Sequence, residues 1–403
     1  MVVINFKGVL NMKQMKRFLV VILTSALFFL STTILYASNG PQQISIDKDI
    51  ALKTAEKFMA NTNMFNSNVQ AKFKSNMYDT SDNVIGYYCN LISEGKNAGY
   101  VLVSATRDLP PVLEYGEGNI PYEVDKNIDN GEKFYYLGGS QYEFANNSLE
   151  LKDEFEAKRN QALKELEERG FKDSEEYNKL KNAKLKKLQK DSQKYQGSWD
   201  KLLAMNSESL SFNIMASGTK ELNVQRIWQR TSGVSWPSSA CGATTGAMTA
   251  NYYKNQGYDI RGTSYYGNDA NFINHLYSEM GSSFTGTSAV RWRDGIMTHL
   301  NHNYSIQEWL GSDIRANGNW SSYCQSIDSN KPVALRFDYF TSGGTYASYH
   351  FVCGQGYQDW GGTDLYAGIK DPDGGEYNTS TSWINWGINA PDLAMIRTTY
   401  LYQ

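Results

Sequence analysis

The sequence predicts an α+β protein. Its C-terminal domain should have a helix that carries a cysteine and an antiparallel sheet that carries a histidine, preceded by a small α+β unit and a charged helical hairpin. Three observations point there. The turn-forming Ser238-Ser239-Ala240 runs into Cys241-Gly242-Ala243 and a helix of small residues. Far downstream, His350 opens the apolar run Phe351-Val352-Cys353. Between the two halves the composition changes: Lys and Glu, dense from Leu149 to Leu203, nearly vanish after Glu221, where Gly, Ser, Tyr and Trp take over.

The elements follow in chain order. At 403 residues the chain exceeds one ordinary core, so several domains are expected. Lys13, Lys16 and Arg17 precede the apolar run Phe18 to Leu30, which is short for a membrane span, and Tyr36-Ala37-Ser38 offers a cleavage point. Residues 1–37 therefore read as a signal peptide, the eleven before Met12 being an upstream start or an extension. The expectation is a secreted, extracellular protein, with the membrane met only during export. Residues 38–147 form the α+β unit: an amphipathic helix after Asp47, then strands Val84 to Ile92 and Gly99 to Ala105 around the turn Glu94-Gly95-Lys96-Asn97. Residues 148–204 give the hairpin, broken at Gly170 and restarted by the capping signal Asp173-Ser174-Glu175-Glu176. Its charges read as solvated faces. Polar, Ser-rich residues 205–220 make a linker open to nicking, and 221–403 the last domain.

Net charge of -3 and the lack of a basic cluster in the C-terminal half argue against nucleic acid as a partner. The 28 Tyr and 9 Trp suit a β-rich extracellular domain. Four cysteines are too few for a disulfide scaffold in an exported chain; Cys324 and Cys353 could pair, and Cys89 would be left over.

Cys241 is the candidate nucleophile. Trp236-Pro237 sets a turn, Ser239 is a suitable N-cap, and Cys241 then falls at the second helical position, where backbone amides and the macrodipole favour a thiolate. Gly242, Ala243, Gly246 and Ala247 give the helix a slim face. A buried packing cysteine is the competing reading, but polar, turn-forming residues precede Cys241. His350, at a strand start, can reach a cleft, whereas Cys353, three positions on, is turned away by strand alternation. Cys324 lies in the helical pattern Trp320-Tyr323-Ile327 and reads as core. The run Leu365 to Ile369 leads into Asp371-Pro372-Asp373-Gly374, so Asp371 can accept the imidazole N–H and hold the ring, or simply make a turn. Gln229, ahead of Cys241, can pair its side-chain N–H with the Cys241 amide as an oxyanion hole. His299 and His302 share a helical face, but no further zinc ligand is evident, and His275 reads the same way.

Val224 to Gln229, Ala240-Cys241-Gly242-Ala243, His350-Phe351-Val352-Cys353-Gly354-Gln355-Gly356-Tyr357 and Asp371-Pro372 together resemble the papain-like bacteriocin-processing peptidases. More closely, they look like the broader secreted peptidase C39-like group. The resemblance covers roughly Glu221 to Gln403 and implies Cys241, His350 and Asp371 as catalytic residues, with Gln229 in the oxyanion role. Gln229 is further from the cysteine than in the transporters of that group, so Gln225 stays open as a substitute. Asn385-Trp386-Gly387 is similar to the asparagine motif of papain and makes Asn385 a rival orienter. No transporter or ATPase segment is present, so leader processing coupled to export is not implied. Gly99-Tyr100-Val101-Leu102-Val103-Ser104-Ala105 and Leu109-Pro110-Pro111-Val112-Leu113 look similar to the propeptide of the streptopain family, which implies latency until the linker is cut.

The expected function is a secreted, monomeric cysteine peptidase acting on protein or peptide through a Cys-His-Asp triad, with no metal or organic cofactor. The alternatives are a wall-peptide amidase or transglutaminase-like acyltransferase on the same scaffold, and a non-catalytic surface or adhesion module.

Overall fold

The computed structural model describes residues 45–402 except 63, 66–68, 173, 205–217, 285, 318, 338–344 and 347–349. The expected signal peptide and most of the linker lie outside the described residues.

Asp47 begins helix Lys48–Asn61 by accepting the Ile50 N–H at 2.8 Å, and Ala51, Ala55, Phe58 and Met59 are buried along it. Strands Val84–Ser93 and Lys96–Ser104 pair antiparallel around a turn tighter than expected. Only Glu94 and Gly95 are unpaired, both left-handed at φ 51° and 77°, the geometry that matches the twist of a two-residue hairpin.

The expected hairpin consists of helix Ser148–Glu168 and helix Glu175–Lys181, the second capped by Ser174 through the Tyr177 N–H at 3.1 Å. Its second arm stops far short of Leu203. The chain passes through strand Lys184–Leu185 into a separate helix, Ser192–Ala204. That helix leaves the hairpin because Tyr195, Trp199 and Leu202 form one apolar stripe that sinks into the core of the N-terminal unit. There Trp199 Nε1 donates to the Leu109 carbonyl at 2.9 Å.

Among the described residues one 13-stranded sheet runs through both halves of the chain. Strand Val112–Glu117 of the N-terminal unit pairs antiparallel with Ser382–Asn385, in the register Trp383 opposite Tyr115. The rings of that pair stack at 6.4 Å, and Trp360, Tyr366 and Trp383 from the C-terminal half complete the N-terminal core. From Ser382–Asn385 the sheet continues through Leu365–Lys370, His350–Asp359, Val333–Phe337, Leu393–Tyr400 and Trp309–Arg315.

Helix Cys241–Asn255 lies on this sheet and is buried along most of its length. Its glycines allow close approach: a Cβ on Gly242 would sit 2.7 Å from Thr287 Oγ1 and 3.3 Å from the Phe351 ring, and one on Gly246 would meet Met280 at 2.5 Å. The histidine strand runs on through Gly354-Gln355-Gly356-Tyr357 to Asp359, with only a bulge there. These glycines serve close approach, since a Cβ on Gly354 would strike the Tyr323 ring at 2.9 Å and one on Gly356 the Lys220 carbonyl at 2.9 Å. No helix among the described residues is long and apolar enough to cross a membrane.

Candidate active site

Cys241 is the first residue of its helix rather than the second. Ala240 takes the N-cap position without a side-chain cap, because Pro237–Ser239 form a 3-10 turn and the Ser239 hydroxyl is engaged with Tyr277 at 2.8 Å. The helix nevertheless presents the thiol at its N-terminal end, 4% exposed. Phe351 and Cys353 on the histidine strand face the same helix, the first against Gly242 and the second against Thr249. His350, the first residue of that strand, reaches the helix start and shares a hydrogen bond with Cys241.

Asp371 directly follows strand Leu365–Lys370, the antiparallel neighbour of the histidine strand. Its Oδ1 lies 2.8 Å from His350 Nε2 and also accepts the Asp373 N–H at 2.8 Å, so the carboxylate makes the Asp-Pro-Asp turn and holds the ring. With Nε2 on the carboxylate, Nδ1 is the ring nitrogen left for the thiol. Burial disfavours charge on the imidazole. The adjoining Asp371 carboxylate, with help from Cys241, outweighs it and holds His350 well above the usual histidine range. Burial likewise works against ionised Asp371, but the charge and hydrogen bond of His350, then Tyr122 and the Asp373 amide, keep it below the usual carboxylate range. Both shifts describe one buried imidazolium–carboxylate pair.

The segment preceding the cysteine builds the other wall. Arg226 Nε donates to the Asp371 carbonyl at 2.7 Å, Arg230 grips the Asp373 carboxylate at 2.6 and 2.8 Å, and the Gln229 N–H donates to the Pro372 carbonyl at 2.9 Å. Gln229 is 2% exposed and its Nε2 donates to the Pro237 carbonyl at 2.9 Å, which ties it to the turn that leads into Cys241. One amide hydrogen of Gln229 is not used in that bond. Gln225, the alternative, is exposed and bonded to Asn223. Asn385 caps the helix Trp386–Asn389 and donates to the Thr363 carbonyl at 3.3 Å, away from His350. No disulfide joins the four cysteines: Cys89 and Cys353 are buried, their thiols each pushed up to about 12 by burial, and Cys324 is half-buried on its helix.

One residue at the site was not legible in the sequence. Tyr122, from the N-terminal unit, places its hydroxyl 3.1 Å from His350 Nε2 and donates to Asp371 Oδ2. Burial holds this phenol well above its usual range, so it stays a donor. Tyr122 and Glu123 both adopt left-handed backbone, φ 66° and 52°, at a tip whose Tyr122 N–H meets the Gly374 carbonyl at 3.4 Å. Left-handed non-glycine residues cost about 1–3 kcal/mol each and persist only where surrounding contacts enforce them. A tyrosine after Ile120-Pro121 carries no sequence signal for this.

A thiol, an imidazole and a carboxylate in one hydrogen-bonded line can form an ion pair, attack an acyl carbon and pass a proton to a leaving group. Comparisons with known proteins bear on that arrangement. Residues 221–388 match the Peptidase_C39 like family, and residues 43–135 match the family described as Spi protease inhibitor. No curated protein matches the chain. A prointerpain A fragment from Prevotella intermedia is similar at 11% identity and a TM-score of 0.42, covering 82% of this chain and 98% of that one. Within this α+β chain, residues 221–388 are thus similar to the Peptidase_C39 like family and residues 43–135 to the Spi protease inhibitor family.

Proposed function

We propose that this protein is a secreted cysteine peptidase that hydrolyses peptide bonds and is made as a latent precursor. The observation that carries the reading is the line Cys241, His350, Asp371, in which each side chain hydrogen-bonds the next. With the thiol proton already held by His350, the sulfur attacks the substrate carbonyl carbon as a thiolate. The Cys241 amide and Gln229 Nε2 hold the oxyanion. The imidazolium then protonates the leaving amine, whose departure leaves a thioester. Water, deprotonated by His350, attacks that thioester, and the thiol is restored as the acid product leaves. Asp371 keeps the ring oriented throughout.

Latency is supported by Tyr122, which lies within the Spi-inhibitor match and caps the imidazole–carboxylate pair. Residues 38–147 and the hairpin 148–204 act as the inhibitory part. The linker 205–220 is where cutting separates it from the peptidase domain, 221–403. The mature enzyme acts as an extracellular monomer.

The deciding experiment incubates the purified precursor and its Cys241→Ser variant with an unfolded protein substrate, then maps new N-termini by mass spectrometry. Thiol-dependent cleavage of substrate, with release from latency on nicking within 205–220, is expected. Full activity of the uncut precursor would refute latency. Cleavage that persists in Cys241→Ser, or no cleavage after nicking, would refute the peptidase reading.

A further inference from the structure

Three of the four histidines lie away from the thiol, and two of them converge on one carboxylate. His275 and Glu279 stand one turn apart on helix Asp269–Glu279, and His299 comes from helix Ala289–Leu300. Glu279 Oε2 lies 3.2 Å from His275 Nε2 and 3.1 Å from His299 Nδ1. The missing ligand of the His299-His302 pattern thus comes from the neighbouring helix, while His302 itself is exposed.

The proton count on these groups is informative. His299 Nε2 sits 2.8 Å from the Arg261 carbonyl, which can only accept, so Nε2 carries the hydrogen. A neutral ring then turns a bare lone pair at Nδ1 towards a carboxylate oxygen that has only lone pairs. His275 Nε2 is sealed from solvent and makes no hydrogen bond among the described residues, although Glu279 Oε2 is close. Bases aimed at a common point repel unless positive charge lies among them. Hydrogens on His299 Nδ1 and His275 Nε2 answer the two contacts one at a time, whereas a divalent cation at the common point engages all three donor atoms at once.

Distances agree with that choice. Nitrogen or oxygen ligands about 2.0–2.1 Å from a tetrahedral zinc stand about 3.3–3.4 Å apart. The two edges to Glu279, 3.2 and 3.1 Å, are close to this. All three donor atoms lie within 4.8 Å of one another, and the ring-to-ring edge is the one an ion draws in, from the partly exposed His275 side. The Arg261 carbonyl behind His299 is the kind of outer partner that fixes tautomer and orientation in metal-bound imidazoles. Tyr266 stacks on His275 at 4.5 Å and Phe272 lies 5.2 Å from His299, so both rings are set in place.

We propose that His275, Glu279 and His299 bind a zinc-type divalent cation, with water in the fourth position. The ion ties the two helices together and to the chain at Arg261. Leu276 and Met280, beside Glu279, pack on Gly246, so the site braces the back of the helix that carries Cys241. The proposal does not depend on the peptidase reading.

The test uses the full chain carrying Cys241→Ser, which removes a competing thiol, stripped with a chelator and titrated with zinc against a chromophoric indicator. One equivalent should bind. His275→Ala and Glu279→Gln, each added to that background, should weaken uptake at least about tenfold, no less than losing an outer partner costs elsewhere. Cobalt should give visible bands of a tetrahedral site that disappear in His275→Ala. His275 is partly exposed, so that variant keeps its core packing, which circular dichroism checks. No uptake in competition with the indicator, or uptake indifferent to both variants, overturns the proposal.

Discussion

Tyr122→Phe isolates the contact on which the proposed latency rests. The phenylalanine keeps the ring, its edge contact with Tyr142 at 5.5 Å and the tip geometry, and deletes only the hydroxyl. That hydroxyl donates to the buried Asp371 carboxylate and lies 3.1 Å from His350 Nε2. A hydrogen bond to a charged group contributes about 1.5–3 kcal/mol net. If the tip must withdraw before the thiol is reachable, losing the bond raises the open fraction by roughly 10- to 150-fold, at about 1.4 kcal/mol per decade. The backbone strain at Tyr122 and Glu123, no longer opposed by this bond, favours opening further. The assay is the second-order rate at which a thiol-selective peptide electrophile labels Cys241 in uncut precursor, compared with protein nicked in the linker. Labelling should rise by one to two decades in the precursor and stay unchanged once the protein is nicked and the N-terminal part removed. Labelling as slow as in the wild-type precursor would refute the inhibitory role. Slower labelling in the uncut precursor would make Tyr122 a positioning residue of the site instead.

The other predictions concern the same machinery. His350→Ala should lower kcat/KM on a peptide substrate by about 10²–10⁴-fold, the usual range for a general acid–base residue, and a smaller loss would remove it from that role. The stability contributed by the His350–Asp371 pair should depend on pH in a definite sense. His350, held above 6.5 when folded, contributes fully below about pH 6.5, and its share is lost as pH rises through the folded value. Asp371, held below 3.8, contributes above about pH 4, and its share is lost as pH falls through the folded value. Urea denaturation of wild type and Asp371→Asn should therefore differ most near pH 5–6, and a pH-independent difference would contradict the ion pair. Gly242→Ala places a methyl 2.7 Å from Thr287 Oγ1 and should cost about 1–3 kcal/mol in the same denaturation measurement, while a neutral result would mean the helix can lift off the sheet at that point.

Local chemistry in the sequence was enough for several parts. Asp47 and Ser174 were legible as caps because a short acceptor side chain at the start of an apolar period has one local use. The places of Cys241, His350 and Asp371 at or beside element ends were legible because the residue pattern there changes from helix or strand to turn. The helix start was one residue off, since a 3-10 turn absorbs Pro237–Ser239, a boundary that propensity does not resolve. The glycines after His350 serve close packing against Tyr323 and Lys220, a use that depends on neighbours the local pattern does not contain.

What the sequence alone determined is which candidate groups stand at element ends and in what order, because the change from helix or strand to turn is written in local residues. Only the tertiary structure decided which groups meet. Pairing of Val112–Glu117 with Ser382–Asn385 carries Tyr122 onto His350 and Asp371, and packing of two helices brings Glu279 between His275 and His299. Both meetings join residues far apart in the chain, and such contacts are fixed by sheet register and helix packing, which no local run of residues encodes.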